Sequence, residues 1–167
     1  MDLQNRVALI TGAAKGIGRA TASQLAGAGC HVGLLDAEAS AAQKAALEIH
    51  QRTERRTLAV RADVSVKDQV ERAVAEILDT FGRIDVLVNN AGVWSYGRLS
   101  DVQEAEWDRV LAVNLKGVLF CTQAVTPTMK GRQSGKIVNI ASAAVLKLIC
   151  PFEQTTTGTV VREVAAG

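Results

Sequence analysis

The chain has 167 residues, 48% of them hydrophobic, with 19 Lys plus Arg against 17 Asp plus Glu and a formal net charge of +2. That length suits one domain with its own core, and charges spread along the chain leave no electrostatic footprint for nucleic acid or a polybasic membrane anchor. A small molecule is the expected partner. Cys30, Cys121 and Cys150 show no CxxC or Cys/His metal spacing, so no metal site is expected and reduced, core-packed thiols are. The start, MDLQNRVALITGAAKG, lacks a basic n-region and a long apolar h-region, and no uninterrupted apolar run reaches membrane-spanning length. A soluble, cytoplasmic protein with no membrane partner is the expectation.

In chain order, RVALIT is a short apolar run ending at a glycine loop, and GIGRATASQLAGAG reads as a helix with Ile17, Ala20, Leu25 and Ala28 available for one buried side. CHVGLLD followed by ASAAQKAALEIHQRT repeats the strand-helix pair. TLAVRADV followed by VKDQVERAVAEILDTFG repeats it again, with a helical stripe of Val66, Val70, Val74, Ile77 and Phe81 and a helix-start signal at Ser65/Asp68. DVLVNNAG is a fourth strand running into a polar loop. SDVQEAEWDRVLAVNLKGVLFCTQAVTPTM reads as one or two helices opened by Ser100/Gln103, and GKIVNIAS as a fifth strand. Strands with little polar alternation, separated by helices, predict a doubly wound α/β parallel sheet with right-handed crossovers. Residues 1–148 form one predicted domain; residues 149–167 are an atypical tail in which PFEQTTTGTVVREVAAG keeps neither period.

Thr11-Gly12-Ala13-Ala14-Lys15-Gly16-Ile17-Gly18 lies where the first strand hands over to the first helix. There Gly12 can make the tight turn, Gly16 can let the backbone approach a pyrophosphate, and Gly18 can let helix and strand pack closely. The helix N-terminus adds free N–H groups and a favourable dipole. The spacing is GxxxGxG, and loops also collect glycine for turn geometry alone. Asp36 ends the second strand, 18 residues after Gly18, where a carboxylate accepts from ribose hydroxyls and repels a 2′-phosphate, which favours NAD over NADP. Lys15 pulls the other way, since a cation beside the loop could meet a 2′-phosphate. The plain alternative for Asp36 is a solvated turn residue.

With TGAAKGIG after strand one, Asp36 after strand two, NNAG after strand four, VNLKG in the next helix and IVNIAS on strand five, residues 4 to about 148 resemble the short-chain dehydrogenases/reductases, closest in flavour to 3-oxoacyl-acyl-carrier-protein reductases. The resemblance implies a Rossmann-like sheet of about five strands in the order 3-2-1-4-5, and a hydride passed between a nicotinamide cofactor and a carbonyl or secondary alcohol. Gly12, Lys15, Gly16, Ile17, Gly18 and Asp36 become the cofactor loop. Asp63 and Val64 correspond to adenine contacts, and Asn90, Ala91 and Gly92 to the segment along the cofactor. Asn114 matches the catalytic-helix asparagine that holds a relay water, and Ser142 the serine that binds the substrate oxygen. Loop chemistry alone would also account for the Asn and Gly residues of NNAG.

The family's base is a tyrosine in Tyr-x-x-x-Lys about a dozen residues beyond that serine; a phenol of pKa about 10 needs a nearby ammonium to take a proton near neutrality. Positions 153–159 read Glu-Gln-Thr-Thr-Thr-Gly-Thr, and the one tyrosine, Tyr96, lies in the loop after NNAG. The C-terminal part of the family fold is therefore expected to be missing, as a frameshift or premature stop would leave it. The intact family's homo-oligomer is doubtful for such a chain, and the apolar sides of VLFCTQAV and IVNIA are expected to lack their usual cover. Three readings remain open: an impaired oxidoreductase, a non-catalytic nucleotide-binding module, and a non-functional truncation product.

Overall fold

The structure is a computed structural model that describes residues 2–95 and 101–142 and the backbone of 159–165. Its strands are β1 (Val7–Thr11), β2 (His31–Asp36), β3 (Thr57–Arg61), β4 (Val86–Asn89), β5 (Lys136–Ser142) and β6 (Thr159–Ala165). They form one sheet in the order β3-β2-β1-β4-β5-β6. The first five run parallel, with Leu9 paired to Gly33 on one side and to Leu87 on the other. This is the doubly wound sheet expected from the sequence pattern, in the Rossmann-like order that the family resemblance implies.

Alternation along the buried strands feeds two cores. Ala8, Ile10, Val32, Leu34, Val86 and Val88 face α1 (Gly16–Gly27) and α2 (Ala39–Thr53), which contribute Ala22, Ala26, Ala45, Ala46 and Ile49. Leu9, Leu35 and Leu87 face the other way, against α3 (Lys67–Phe81) and α5 (Gly117–Gly131). Covered on both sides, these strands need no polar face, which is why they read as continuous apolar runs. Gly33 belongs to this packing: a Cβ there would lie 3.0 Å from the Ile77 side chain.

Helix faces differ from the sequence expectation in two places. In α1 the buried residues are Gly18, Ala22 and Ala26, while Ile17 is 57% exposed and Ala20 and Ala28 lie at the surface; of the expected stripe only Leu25 packs on the core. The contact of Gly18 with the first strand sets the rotation of this helix, and an alanine-rich sequence gives little contrast between faces. In α3 the buried set is Val70, Ala73, Val74 and Ile77, with Phe81 packed beside it, but Val66 is the flanking residue before the first turn and is exposed. Ser65 does not cap this helix; its N–H and hydroxyl both donate to Asp63. Gln103 precedes α4 (Glu104–Leu111) without a side-chain cap, and Ser100 lies outside the described residues.

Helix α4 continues through a π turn, Ala112–Lys116, into α5. The 28-residue rod Glu104–Gly131 is long and apolar enough to cross a membrane by length and composition, with a mean hydropathy of 1.3 over its most apolar window. Its Cys121, Val125 and Met129 recur every four residues and are buried against the sheet, the pattern of a helix packed on a core. Trp107, Leu115 and Leu119 are exposed on the same rod.

The tail differs from its expected lack of pattern. Strand β6 pairs antiparallel with all of β5, from Lys136 opposite Ala165 to Ser142 opposite Thr159. TVVREVA is rich in β-branched residues, and an edge strand needs no helix period or fixed alternation to pair.

At the opposite end of the sheet from the glycine loop, Asp85 is 1% exposed. Its carboxylate accepts from the Val7 N–H at 2.9 Å and from the Arg83 fork at 2.5 and 2.8 Å, with Arg6 at 3.3 Å and Arg132 at 3.8 Å. Burial alone would push its pKa up, but the Arg83 hydrogen bonds, the Val7 N–H and the charges of Arg83 and Arg132 hold it below the ordinary 3.8. A depressed native pKa contributes stability above the unfolded value and loses it as pH falls through the native one. Asp85→Asn is expected to cost about 2 kcal/mol, below the cost of stranding a fully buried charge because the guanidiniums reach water. Urea unfolding at pH 7 and at successively lower pH beneath the ordinary 3.8 checks this: the gap to wild type should begin to narrow there and shrink as pH falls through the depressed native value.

Candidate functional site

The sheet order reverses at β1, which has β2 on one side and β4 on the other. Loops at the carboxyl ends of the adjacent β1 and β4 leave toward opposite faces of the sheet and open a crevice, the usual ligand position in this architecture. Residues 12–18 occupy it.

Their geometry assigns each glycine a separate duty. Gly12 has φ +63°, and a Cβ there would come 2.8 Å from Ala91 Cα, so the loop turns hard against the end of β4. A Cβ on Gly18 would lie 2.2 Å from the Gly12 carbonyl oxygen, so the first turn of α1 touches the loop backbone directly. Gly16 has φ +57° and, among the described residues, nothing within 4 Å of its Cβ position, which leaves the space before it clear for a ligand. No side chain caps the first turn of α1, so its N–H groups and dipole face the same space. Ile17, exposed by the rotation of α1, lies at this mouth. The residues fit a pyrophosphate: bare backbone, uncapped amides and room for close approach.

Asp36 ends β2 beside the loop. One carboxylate oxygen accepts from the Ala14 N–H at 2.9 Å and the other from the Glu38 N–H at 3.0 Å. An ionised carboxylate has about four acceptor positions, so two bonds leave capacity for ribose hydroxyls. Lys15, a possible phosphate partner in the sequence, is paired with Glu38 at 2.7 Å. The hydrogen bond and charge of Glu38 keep the Lys15 ammonium protonated above its ordinary range.

The polar loop after β4 is tied to β1 and to the π turn. Asn90 donates its amide to the carbonyls of Thr11 at 2.9 Å and Gly12 at 3.1 Å, while the Thr11 hydroxyl accepts from the N–H groups of Asn90 and Ala91. Asn114, at the centre of the π turn, clamps Val93 from both sides: its Oδ1 accepts from the Val93 N–H and its Nδ2 donates to the Val93 carbonyl, each at 2.8 Å. Both faces of the Asn114 amide are thereby used in holding the segment that contains Gly92. Arg109 adds a bond to the Trp94 carbonyl at 3.1 Å while paired with Glu106.

Asp63 and Val64 follow β3 at the same edge. Asp63 Oδ1 accepts from the Ser65 N–H and hydroxyl, and Val64 is buried where a Cβ on Gly117 would come 2.7 Å from it, so this turn packs on the start of α5. Ser142 is the last residue of β5; its side chain, Tyr96 and residues 143–158 lie outside the described residues. Neither histidine is near the crevice: His31 opens β2 at the far end and His50 lies in the last turn of α2. An open groove of about 670 Å³ between α1 and α2, bridged by Arg19 and Glu48, runs along α1 from Gly16 to Gly27, and Gly16 alone of the expected residues lines it.

Three polar residues were missed by sequence reasoning. Asn89, 3% exposed at the end of β4, donates to Asn139 Oδ1 on β5 at 2.9 Å and to the Thr122 hydroxyl of α5 at 3.3 Å. The signal was a second asparagine in VNN and one inside IVNIA, both interrupting apolar runs. Asn89 and Asn90 alternate in direction, one clipping β4 to β5 and the other β4 to β1.

A family model for short chain dehydrogenases matches residues 6–150. The chain belongs to that family. Among curated relatives, it is 46% identical over 144 residues to BbsD, subunit of a hydroxy(phenyl)methyl-succinyl-CoA dehydrogenase of Thauera aromatica, covering 86% of this chain and 58% of that one. It is 41% identical over 138 residues to the 3-oxoacyl-acyl-carrier-protein reductase FabG of Staphylococcus epidermidis, covering 83% and 57%. A crystal structure of a putative short-chain alcohol dehydrogenase from Sinorhizobium meliloti superposes with a TM-score of 0.81 at 37% identity, covering 85% of this chain and 56% of that one. This short-chain dehydrogenase chain thus spans a little over half the length of the relatives it matches.

The glycines give a direct test. Gly18→Ala is expected to cost about 3 kcal/mol, the upper end for overpacking, because its neighbour is backbone. Gly16→Ala meets no atom and should cost only the left-handed backbone penalty of about 1 kcal/mol, while still weakening dinucleotide binding. Urea melts paired with NADH titrations of both variants check the contrast.

Proposed function

We propose that this chain binds NAD(H) in the crevice at β1 and carries the cofactor half of an oxidoreductase that moves a hydride between nicotinamide and a carbonyl or secondary alcohol carbon. The observation that carries the reading is the open Gly16 backbone beside an uncapped helix start, with the Asp36 carboxylate at the ribose end. NAD is preferred to NADP because Asp36 would sit against a 2′-phosphate. Asp63 and Val64 flank the adenine end, and Asn90, Ala91 and Gly92 line the nicotinamide side. The cofactor supplies the hydride chemistry; the chain holds and orients it, with Ser142 at the substrate oxygen and the Asn114 turn fixing the loop across the nicotinamide side.

The proton step lacks a donor in these residues, since the 167-residue sequence holds one tyrosine, Tyr96, and no Tyr-x-x-x-Lys. Loss of a general acid-base lowers turnover by about 10²- to 10⁴-fold. A nucleotide-binding module without chemistry is the second reading, favoured by that same absence. Fluorescence titration with NADH, on wild type and Asp36→Ala, is expected to show binding that the substitution weakens about tenfold, the scale of a lost charge-assisted hydrogen bond. Absence of binding would sink both readings, and dehydrogenase rates typical of full-length relatives would sink the second.

The protein is proposed to act on small molecules in the cytoplasm. Although a homo-oligomer is doubtful on sequence grounds, the exposed Trp107, Leu115 and Leu119 on the α4–α5 rod support a proposed association of copies through that face. Light scattering should show self-association that Leu119→Glu abolishes; a concentration-independent monomer counts against it.

A further inference from the structure

We propose that Glu38 is a specificity-determining residue of the dinucleotide crevice: by engaging Lys15, it withholds a cation placed to receive a ribose 2′-phosphate, so that a ribose with a free 2′-hydroxyl is admitted. This rests on the dinucleotide reading given above.

The argument begins with what Asp36 does to its neighbours. Its two carboxylate oxygens hold the backbone N–H of Ala14, from the glycine loop, and that of Glu38, from the start of α2. Lys15, the residue after Ala14, and the side chain of Glu38 itself are thereby brought together across the ribose end. Their ion pair is 2.7 Å long, and both side chains are open to solvent, at 77% and 57% exposure. Solvent exposure keeps the pair weak in stability terms, but a weak pair still decides which charge an entering ligand meets. Asp36, Glu38 and Lys15 together carry one net negative charge; a 2′-phosphate arriving there adds two like charges to it. Removing the Glu38 charge leaves the three groups neutral and returns the ammonium to the ribose edge. The ammonium has three donors on a flexible stem and can turn to the phosphate without backbone movement.

Glu38→Gln suits the test because it keeps the side-chain length and the backbone N–H that bonds Asp36. The probes are ADP-ribose and its 2′-phosphorylated form, titrated by calorimetry into the 167-residue chain, with the ratio of their affinities as readout. A general loosening of the crevice weakens both ligands and leaves the ratio alone. Wild type is expected to favour ADP-ribose, and Glu38→Gln to shrink that preference by about fivefold, the scale of an exposed ion pair. The shrinkage should fade in 1 M salt. It should also disappear in Lys15→Met/Glu38→Gln, because the cation that mediates it is gone. An unchanged ratio in Glu38→Gln with ADP-ribose still bound overturns the proposal and leaves the crevice standing. A shrinkage that survives removal of Lys15 overturns it too. Failure of wild type to bind either probe removes the dinucleotide reading and this proposal with it.

Discussion

The contact between the Gly18 position and the Gly12 carbonyl is the constraint from which the rest of the site follows. With hydrogen in place of a methyl, α1 can start directly on top of the loop that leaves β1. That proximity turns Gly18, Ala22 and Ala26 inward and Ile17 outward, and it aims the uncapped helix start across the crevice. Asn90 completes the arrangement from the β4 side, its amide held between the Thr11 and Gly12 carbonyls. The proposed dinucleotide cradle is a set of backbone groups kept bare, and it holds its shape because a neighbouring strand supplies the donors that an isolated loop would lack.

Side chains around the cradle act mainly on each other's backbones. Asn114 holds Val93, Asn90 holds the glycine loop, Asp36 holds Ala14 and Glu38, and Asp63 holds Ser65. Such bonds fix loops that carry few apolar anchors, which is what positioning a flexible cofactor between strand ends requires. The π turn at Ala112–Lys116 belongs to the same pattern, since an extra residue in the turn brings Asn114 to face the β4 loop within a rod that otherwise packs on the sheet.

Features whose cause is local in sequence were legible: the glycine spacing, Asp36 at a strand end and five apolar strands alternating with helices; the order of the parallel sheet came only through the family resemblance. Features whose cause lies between distant segments were not. Nothing near Glu38 marks it, because its meaning comes from Lys15, 23 residues away, and nothing near Asp85 discloses Arg6 and Arg132. Asn114 was recognisable through the VNLKG resemblance, but its grip on Val93 spans 21 residues. The face of α1 was misjudged since alanine and glycine give a weak apolar moment and the deciding contact is steric. The Val66 assignment failed at a boundary, where one residue separates the last of the turn from the first of the helix. Strand β6 escaped because an edge strand has one partner and can draw its stability from backbone pairing alone.

That antiparallel β6 has a directional consequence. Running opposite to its five neighbours, it carries the polypeptide back down the sheet, so that Ala165 finishes beside Lys136 while Thr159 lies beside Ser142. Lys136 shares its level with Val86, which in turn is level with Ala8. A fluorophore placed on β6 near Ala165 therefore sits on the floor shared with the start of β1, at the end of the sheet remote from Gly16, and leaves the proposed nucleotide mouth unobstructed.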